Sequence, residues 1–254
     1  MNFSETDKSC GRQKPAAFKT VKDSGMDEKK NDKGFFKKLG NIFDIRLLPM
    51  DLGRLTCFFW PIGFRIKKVD QNGAKYKGII KGSAVIAPNH TSFLDPFAVG
   101  SCFWYRRMFF LTGEVVMTGR IRTLLLKGMG CIKVDRGISD IEAIHKVRKV
   151  LNGSHVTTVF PQGGLKDVSE GVGELKSGAV LIALQNKTPI VPVYSEKTRK
   201  VLERRIFVIG EPIDPALYVK GRFPSMDDIG KVTEALKESM DKCRDTFLKM
   251  KGYN

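Results

Sequence analysis

The chain has 254 residues, a length that suits one α/β domain with accessory segments, and a formal net charge of +17. Such a charge predicts an anionic partner, which could be an acidic protein, an anionic membrane or a nucleic acid. The sequence has no zinc-knuckle spacing, RNA-recognition signature or helix-turn-helix pattern, so we expect no nucleic-acid partner. No stretch approaches the ~20 apolar residues that a membrane-spanning helix requires.

The N-terminal part divides into two segments of different composition. Residues 1–33 are polar and predict a disordered tail. In residues 34–64, aromatic and aliphatic side chains recur at roughly helical spacing, and basic residues flank them. Two short amphipathic helices of this kind favour a position in a membrane interface. Ordinary core helices packed on a sheet are the alternative.

The five cysteines are scattered along the chain, and none of them forms a C-x-x-C pair. Their odd number and irregular spacing indicate reduced thiols, which are typical of a cytoplasmic setting. They are Cys10, Cys57, Cys102, Cys131 and Cys243.

Strands and helices alternate through the third segment, residues 65–254. Apolar and β-branched runs predict strands near residues 64–69, 83–87, 109–112, 130–136, 156–160, 188–193 and 205–210. Helices are expected over residues 95–105, 117–127, 140–152 and 227–251. In the helix over 140–152, the apolar face comprises Ile141, Ile144, Val147, Val150 and Leu151. The fold class is therefore α/β, with a largely parallel or mixed sheet covered by helices and preceded by the N-terminal two-helix amphipathic membrane-interface motif.

A histidine and an aspartate stand at a predicted strand-to-helix switch. His90 follows the strand over 83–87, and Asp95 falls in the first turn of the next helix, for which Thr91 and Ser92 are candidate N-cap residues. One helical turn can return the carboxylate to the imidazole. Such a pair suits general base catalysis on a nucleophile that the substrate supplies. For so short a motif, a purely structural role at the helix start is the alternative.

The segment over residues 89–95, NHTSFLD, closely resembles the N-H-x4-D signature of the glycerolipid acyltransferases, the lysophosphatidic acid acyltransferase family. Gly130 and Arg136 resemble the second block of the family, in which the arginine would clamp a phosphate oxygen. A salt bridge of Arg136 is the alternative. Residues 175–179, LKSGA, resemble the F-K-x-G-A helix of the family, and residues 188–193, TPIVPV, resemble its fourth block.

Residues 160–166, FPQGGLK, resemble the third block of the family, F-P-E-G-T-R-S, which serves the phosphate of the acceptor. Three positions depart from this pattern, and a lysine that the family usually has just before Glu114 is also missing. The matching residues are Phe160, Pro161 and Gly163. The departures are Gln162 for glutamate, Gly164 for threonine and Leu165 for arginine.

Two expected phosphate contacts are therefore missing, and two explanations stand. In the first, Lys166, Lys176 or Arg136 supplies the positive charge, helped by backbone N–H groups around Gly163 and Gly164 that can form an anion nest. In the second, the acceptor is not a phosphate monoester.

The resemblance implies acyl transfer from acyl-CoA or acyl-acyl carrier protein to a hydroxyl of 1-acylglycerol 3-phosphate, which forms phosphatidic acid in phospholipid biosynthesis. His90 and Asp95 would be catalytic, and no metal or bound cofactor is expected because the thioester supplies the activation. The expected partners are a membrane phospholipid surface, a lysophospholipid, and acyl carrier protein or a CoA thioester, at the cytoplasmic face of the membrane. Another lyso-lipid or amino-lipid acceptor, or a non-catalytic lipid-binding relative, is the alternative. The expected substrate-binding residues are Asn89, Arg136, Phe160, Pro161, Gln162, Gly163, Gly164, Lys166 and Lys176.

Overall fold

The computed structural model describes residues 51–52, 66–135, 141–166, 171–197, 204–221 and 223–252. The predicted tail over 1–33 and the predicted amphipathic helices over 34–64 lie outside the described residues, except that Asp51 and Leu52 are helical. None of the described helices has the length and apolar composition that a bilayer crossing requires.

One seven-stranded sheet organises the described residues, in the order β1-β7-β6-β2-β5-β3-β4. Strands β2 to β6 run in the same direction, whereas β7 pairs antiparallel with β6 and β1 pairs parallel with β7. The predicted largely parallel or mixed sheet is thus confirmed. The strands are β1 (Lys67–Asp70), β2 (Ala84–Pro88), β3 (Met108–Gly113), β4 (Cys131–Val134), β5 (Val156–Thr158), β6 (Ile190–Tyr194) and β7 (Ile206–Ile209).

Five α-helices and two short 3₁₀ turns connect or follow the described strands. The helix predicted over 117–127 starts later, because the chain first forms a 3₁₀ turn and then passes through Gly119 at φ +80°. The helix predicted over 95–105 ends earlier, at Cys102. The helices are α1 (Asp95–Cys102), α2 (Arg120–Gly128), α3 (Ile141–Asn152), α4 (Gly178–Asn186) and α5 (Met226–Lys251), and the 3₁₀ turns are Glu114–Val116 and Pro215–Tyr218.

The two faces of the sheet belong to two hydrophobic clusters. In β2, Val85 and Ala87 join the cluster of α3, α4 and α5, whereas Ala84 and Ile86 join the cluster of α1. This alternation follows from the two-residue period of a strand. Helix α2 has no buried residue, and neither cluster includes a residue of this helix.

The predicted apolar face of α3 is only partly correct. Val147 and Leu151 are buried, together with Ala143, which the prediction left out. Ile141 and Ile144 are 64% and 39% exposed. The buried stripe is narrower than the apolar pattern indicates, because only residues that face the sheet lose contact with water.

The strand directions define the edge at which a site can form. The carboxyl ends of the parallel strands β2, β5 and β6 lie at one edge of the sheet. Because β7 runs antiparallel to β6, its amino end lies at this same edge. Open α/β sheets bind ligands outside the carboxyl ends of their parallel strands.

Candidate active site

The side chain of Asn89 joins the ends of β2 and β6. Its Nδ2 donates to the backbone carbonyl of Ser195 at 2.9 Å, and its Oδ1 accepts the Ser195 N–H at 2.8 Å. Asn89 is buried, so these two bonds satisfy an amide that is shielded from water. They fix the point at which the chain leaves β2, and His90 is the next residue.

His90 and Asp95 form the contact that their spacing predicts, with 3.1 Å between His90 Nδ1 and Asp95 Oδ2. The same carboxylate oxygen accepts the backbone N–H groups of Thr91 at 2.6 Å and Ser92 at 2.7 Å. The prediction that Thr91 or Ser92 caps the helix is wrong, since the N-cap residue of α1 is Leu94 and no side chain caps it. The carboxylate instead turns back and binds the loop that carries the histidine.

The buried carboxylate of Asp95 is held in its ionised form. Burial raises its pKa, but hydrogen bonds from His90 and Arg205, the positive charge of Arg205 and the N–H of Ser92 outweigh this effect. The net pKa of Asp95 therefore lies below the ordinary value for aspartate. Because an ionised carboxylate can only accept, we assign the imidazole hydrogen to Nδ1, which leaves the lone pair on Nε2.

Three further contacts hold His90 in place. Its ring stacks on Phe160, with 4.2 Å between ring centroids and 27° between the ring planes. Its backbone N–H donates to Gln162 Oε1 at 2.7 Å, and its carbonyl accepts the N–H of Lys166 at 2.9 Å. Within the described residues Nε2 of His90 has no hydrogen-bond partner, and the side chain is 17% exposed. A hydroxyl that binds here can therefore reach Nε2.

Gln162 is engaged at both ends of its amide. Besides accepting from His90, it donates from Nε2 to the backbone carbonyl of Val172 at 2.8 Å, and it is buried. The next residue back, Pro161, is also buried, and its carbonyl accepts the backbone N–H of Lys176 at 2.8 Å. These bonds tie the turn after β5 to the His90 loop on one side and to the start of the α4 segment on the other.

The Lys176 side chain lies across Gly163. A Cβ added at residue 163 would lie 2.8 Å from Lys176 Cδ and 3.0 Å from its Nζ, and Gly163 adopts φ +70°. Both the backbone conformation and the close approach favour glycine. The Gly163 N–H donates to the Phe160 carbonyl at 3.1 Å. In the part of the chain that the structure describes, the N–H groups of Gly164 and Leu165 make no hydrogen bond, so they are the amides of this turn that an anion could engage.

The structure therefore gathers most of the expected residues around one turn and one loop. Asn89, Phe160 and Gln162 contact His90 or fix its backbone. Lys166 reaches the His90 loop through its backbone, and its side chain is exposed, as is that of Lys176. Arg136 lies outside the described residues.

Arg205, which the sequence pattern does not single out as a site residue, contacts Asp95 on the side away from His90. Its Nη2 donates to Asp95 Oδ1 at 2.5 Å, and its Nε donates to Ser195 Oγ at 3.0 Å. In the sequence it follows Arg204 in a basic stretch and resembles a surface charge. Its position just before a strongly apolar strand is a weak signal of burial, but nothing in the pattern indicates that this strand starts beside Asp95.

The geometry supports proton transfer. An imidazole with one available nitrogen stands in front of an ionised carboxylate, at the sheet edge where α/β folds bind ligands. Within the described ranges, no three His, Cys, Asp or Glu side chains are placed to hold a metal ion.

Known proteins share this fold. The family profile described as Acyltransferase matches residues 65–196, more than half of the chain. The 1-acyl-sn-glycerol-3-phosphate acyltransferase of Bacillus subtilis (strain 168) is 27% identical over 159 residues, which cover 61% of this chain and 77% of that protein. The crystal structure of the 1-acyl-sn-glycerophosphate (LPA) acyltransferase PlsC from Thermotoga maritima has a TM-score of 0.50 at 15% identity, over 84% of this chain and 88% of that chain, and so shares its fold. By the extent of the profile match, the chain belongs to the acyltransferase family and is an enzyme of that class.

Proposed function

We propose that the protein transfers a fatty acyl group from acyl-CoA or acyl-acyl carrier protein to the free hydroxyl of 1-acylglycerol 3-phosphate, forming phosphatidic acid for phospholipid biosynthesis. The observation that carries this proposal is the contact of His90 Nδ1 with Asp95 Oδ2 at 3.1 Å, which leaves the lone pair of Nε2 available as a supported base. The named activities of the Bacillus and Thermotoga proteins support the choice of acceptor.

The proposed reaction is a direct transfer. Nε2 of His90 takes the proton of the acceptor hydroxyl while the hydroxyl oxygen attacks the thioester carbonyl carbon, and Asp95 stabilises the imidazolium. The tetrahedral intermediate then collapses, the C–S bond breaks, and the leaving thiolate takes the proton back from His90. The products are an ester and a thiol, and no residue of the chain is acylated. No metal or bound cofactor is needed, because the thioester is already activated.

Proton transfer supplies only part of the acceleration. A positioned general base contributes about 10²–10⁴-fold. The remainder must come from holding two substrates in a reactive geometry and from donors aimed at the developing oxyanion. The amides of Gly164 and Leu165 are our candidates for these donors, since they are exposed and make no hydrogen bond within the described residues.

The phosphate of the acceptor requires positive charge near the turn after β5. Lys176 lies across this turn, and Lys166 ends it, and both side chains are exposed. We propose that they replace the arginine that the resembling family has at the position of Leu165. Arg136, outside the described residues, stays a further predicted phosphate contact.

A second acceptor class is favoured by two observations. Leu165 is 42% exposed and apolar where the third block of the family has an arginine. Gln162 makes both of its hydrogen bonds with the backbone and so adds no charge for a ligand. A lyso-phosphodiester or an amino-lipid acceptor, which carries less negative charge than a phosphate monoester, would fit this turn. A non-catalytic lipid-binding relative would have no evident need for the supported base.

We also propose that the protein works as a peripheral protein on the cytoplasmic face of the cell membrane. Helix α2 supports the membrane contact, because Ile121, Leu124 and Leu125 are 78%, 73% and 62% exposed. The helix contains no acidic residue. Exposed apolar side chains at this spacing, flanked by basic residues, are typical of a helix that lies in a membrane interface. The flanking basic residues are Arg120, Arg122 and Lys127.

The position of α2 connects the membrane contact with the site. The helix follows β3, which runs parallel to β5 and β2, so it begins at the same sheet edge as His90. A lipid acceptor would then approach Nε2 from the surface on which the protein lies. The amphipathic segment over 34–64 is the other predicted membrane contact.

The test is release of free thiol by the purified protein in mixed micelles, with acyl-CoA or acyl-acyl carrier protein as donor. The acceptors are lysophosphatidic acid, glycerol 3-phosphate, lyso-phosphodiesters and a lyso-amino-lipid, and His90→Ala is the control. We expect turnover with lysophosphatidic acid that is lost in His90→Ala. Turnover with another acceptor alone would support the second acceptor class. No turnover with any acceptor, together with unchanged lipid binding by His90→Ala, would support a binding protein.

A further inference from the structure

We propose that Arg205 is a positioning residue for the reaction, which holds the Asp95 carboxylate in the orientation that His90 requires. This inference rests on the proposed function, because it assigns a role in the same proton transfer. The position of Arg205 beside Asp95 results from the direction of strand β7. Arg205 directly precedes β7, and since β7 runs antiparallel to β6, its amino end meets the carboxyl ends of β2 and β6.

Arg205 is a buried cation, only 5% exposed. An arginine side chain loses its hydration when it is buried, and only a well-bonded anion compensates for this loss. Here Nη2 donates to Asp95 Oδ1 at 2.5 Å, Nε donates to Ser195 Oγ at 3.0 Å, and the guanidinium lies 5.3 Å from the centre of the Phe207 ring. A planar fork with two fixed partners holds one orientation, which a flexible surface pair does not.

The two oxygens of Asp95 have separate partners. Oδ2 accepts from His90 Nδ1 and from the backbone of Thr91 and Ser92, whereas Oδ1 accepts from Arg205. With both oxygens held, the carboxylate cannot rotate about its Cβ–Cγ bond. The lone pair of Oδ2 that points at the imidazole therefore stays in place when the proton moves.

These contacts close a ring of hydrogen bonds around the pair. From Arg205 the ring runs through Ser195 Oγ to the Ser195 backbone, which binds both ends of the Asn89 side chain. Asn89 is followed directly by His90, which contacts Asp95, and Asp95 contacts Arg205 again. The ring links the ends of β2, β6 and β7.

The guanidinium also balances the charge that His90 experiences. Without it, Asp95 would stand against the imidazole as an uncompensated buried anion, which favours the protonated imidazole. Among the described residues, the elements around Arg205 also carry the Cys102 thiol from α1 and two lysines from β1. The Lys67 backbone N–H donates to the Arg205 carbonyl at 2.9 Å, and Lys68 Nζ donates to the Cys102 carbonyl at 2.6 Å. Burial raises the pKa of Cys102 to about 12, so this thiol stays neutral at assay pH. On the solvent side, Lys166 and Lys176 are the charged residues of the adjoining turn.

The test compares Arg205→Met and Arg205→Lys in the full chain with the neighbouring Arg204→Met as matched control, since Arg204 is exposed. We expect Arg205→Met to lower kcat on the order of 10²-fold, with KM values for donor and acceptor nearly unchanged, because misplaced catalytic groups lose rate rather than binding. The acidic limb of its kcat/KM profile should move to higher pH. Arg205→Lys keeps the charge, so its acidic limb should stay near that of the wild type while kcat falls by an intermediate factor.

A second readout does not depend on turnover. The imidazole resonance of His90 is identified by its loss in His90→Ala, and its NMR titration is compared between the wild type and Arg205→Met. We expect titration at higher pH in Arg205→Met and no change in Arg204→Met. A shift of this kind would support the role of Arg205 even if no acceptor gave thiol release. The absence of thiol release would count against the proposed function and not against the role of Arg205.

Unchanged kcat and an unchanged His90 titration in folded Arg205→Met would overturn the role of Arg205. If Arg205→Met fails to fold, Arg205→Lys decides. A folded Arg205→Lys with wild-type kcat would then show that charge alone suffices and would contradict the positioning role.

Discussion

The side chain of Gln162 accepts the backbone N–H of His90 at 2.7 Å and donates to the backbone carbonyl of Val172 at 2.8 Å. One amide thus joins the histidine loop to a segment ten residues further along the chain. A glutamate, which the resembling family has in its third block, could keep the first bond but has no hydrogen for the second when ionised. Glutamine at residue 162 therefore matches both backbone partners, since its amide oxygen accepts from His90 N–H and its amide nitrogen donates to the Val172 carbonyl.

Gln162→Glu should lower both the stability and the kcat of this protein, although it introduces the residue that the resembling family has at this position. The ionised carboxylate would face the Val172 carbonyl without a hydrogen between them, so we expect the free energy of unfolding to fall by about 1–3 kcal/mol. The loop that carries His90 would loosen, so kcat should fall as well. Urea unfolding and thiol release measure the two effects. Gln185→Glu on the exposed side of α4 is the matched control, and equal losses in both variants would contradict the explanation.

The Asp95 carboxylate should make the free energy of unfolding decrease as the pH falls into the acidic range. Its pKa is lowered in the folded protein, so its contribution is present above the unfolded pKa of about 3.9 and is lost as pH falls through the lower folded value. Asp95→Asn leaves the buried Arg205 without its anion, which should cost about 3–5 kcal/mol at pH 7. We expect this difference from the wild type to narrow below about pH 4.

Unfolding by urea at pH 7 and at pH 3 measures that difference. Asp245→Asn, at an exposed position of α5, is the control and should differ from the wild type equally at both pH values. A difference for Asp95→Asn that stays constant across this range would show that the carboxylate is not the titrating group.

Lys176→Ala should weaken binding of the acceptor and leave the rate of the chemical step nearly unchanged. Lys176 lies across Gly163, the residue that precedes Gly164. Loss of one charged hydrogen bond to phosphate should raise the acceptor KM on the order of tenfold. The kcat value and the donor KM should change little. Steady-state kinetics with lysophosphatidic acid and a lyso-phosphodiester check this, with exposed Lys237→Ala as control. An equal KM for both acceptors in Lys176→Ala and the wild type would exclude Lys176 from phosphate binding.

Leu124→Asp should detach the protein from membranes without unfolding it. Its side chain is 73% exposed, so the substitution removes a contact with lipid and adds a charge that lipid disfavours. Burial of a leucine contributes about 1.5–3 kcal/mol, so binding to vesicles of phosphatidylglycerol and phosphatidylcholine should fall by at least about tenfold. Cosedimentation measures the binding, and thermal unfolding without lipid should be unchanged.

Leu217→Asp is the matched control for this membrane test. Leu217 is 81% exposed, but it follows Ile213, which pairs with the first residue of β6, Ile190. It therefore lies toward the edge of the sheet opposite His90, and its substitution should leave vesicle binding intact. A lower unfolding temperature of Leu124→Asp without lipid would show instead that α2 packs against protein, either another part of the chain or a second copy.

The sequence predicted which strands and helices form more accurately than it predicted the residues at which they begin and end. Strand β2, the turn at its end and helix α1 follow from an apolar run, a proline and a helical pattern, and each lies close to its predicted place. Helix α2 began three residues later than expected, because the 3₁₀ turn before it and the positive φ of Gly119 depend on contacts that no local pattern carries.

By itself the sequence determined the alternating α/β architecture and the proximity of His90 to Asp95, because only four residues separate them and these residues form the short loop and turn that lead into α1. Only the tertiary structure decided that Arg205, 110 positions along the chain from Asp95, stands behind the same carboxylate. The reason is that a continuous apolar, β-branched run such as that of β7 predicts a strand but does not distinguish a parallel from an antiparallel neighbour. Had β7 run parallel to β6, Arg205 would lie at the opposite edge of the sheet, and the ring of hydrogen bonds around His90 could not close.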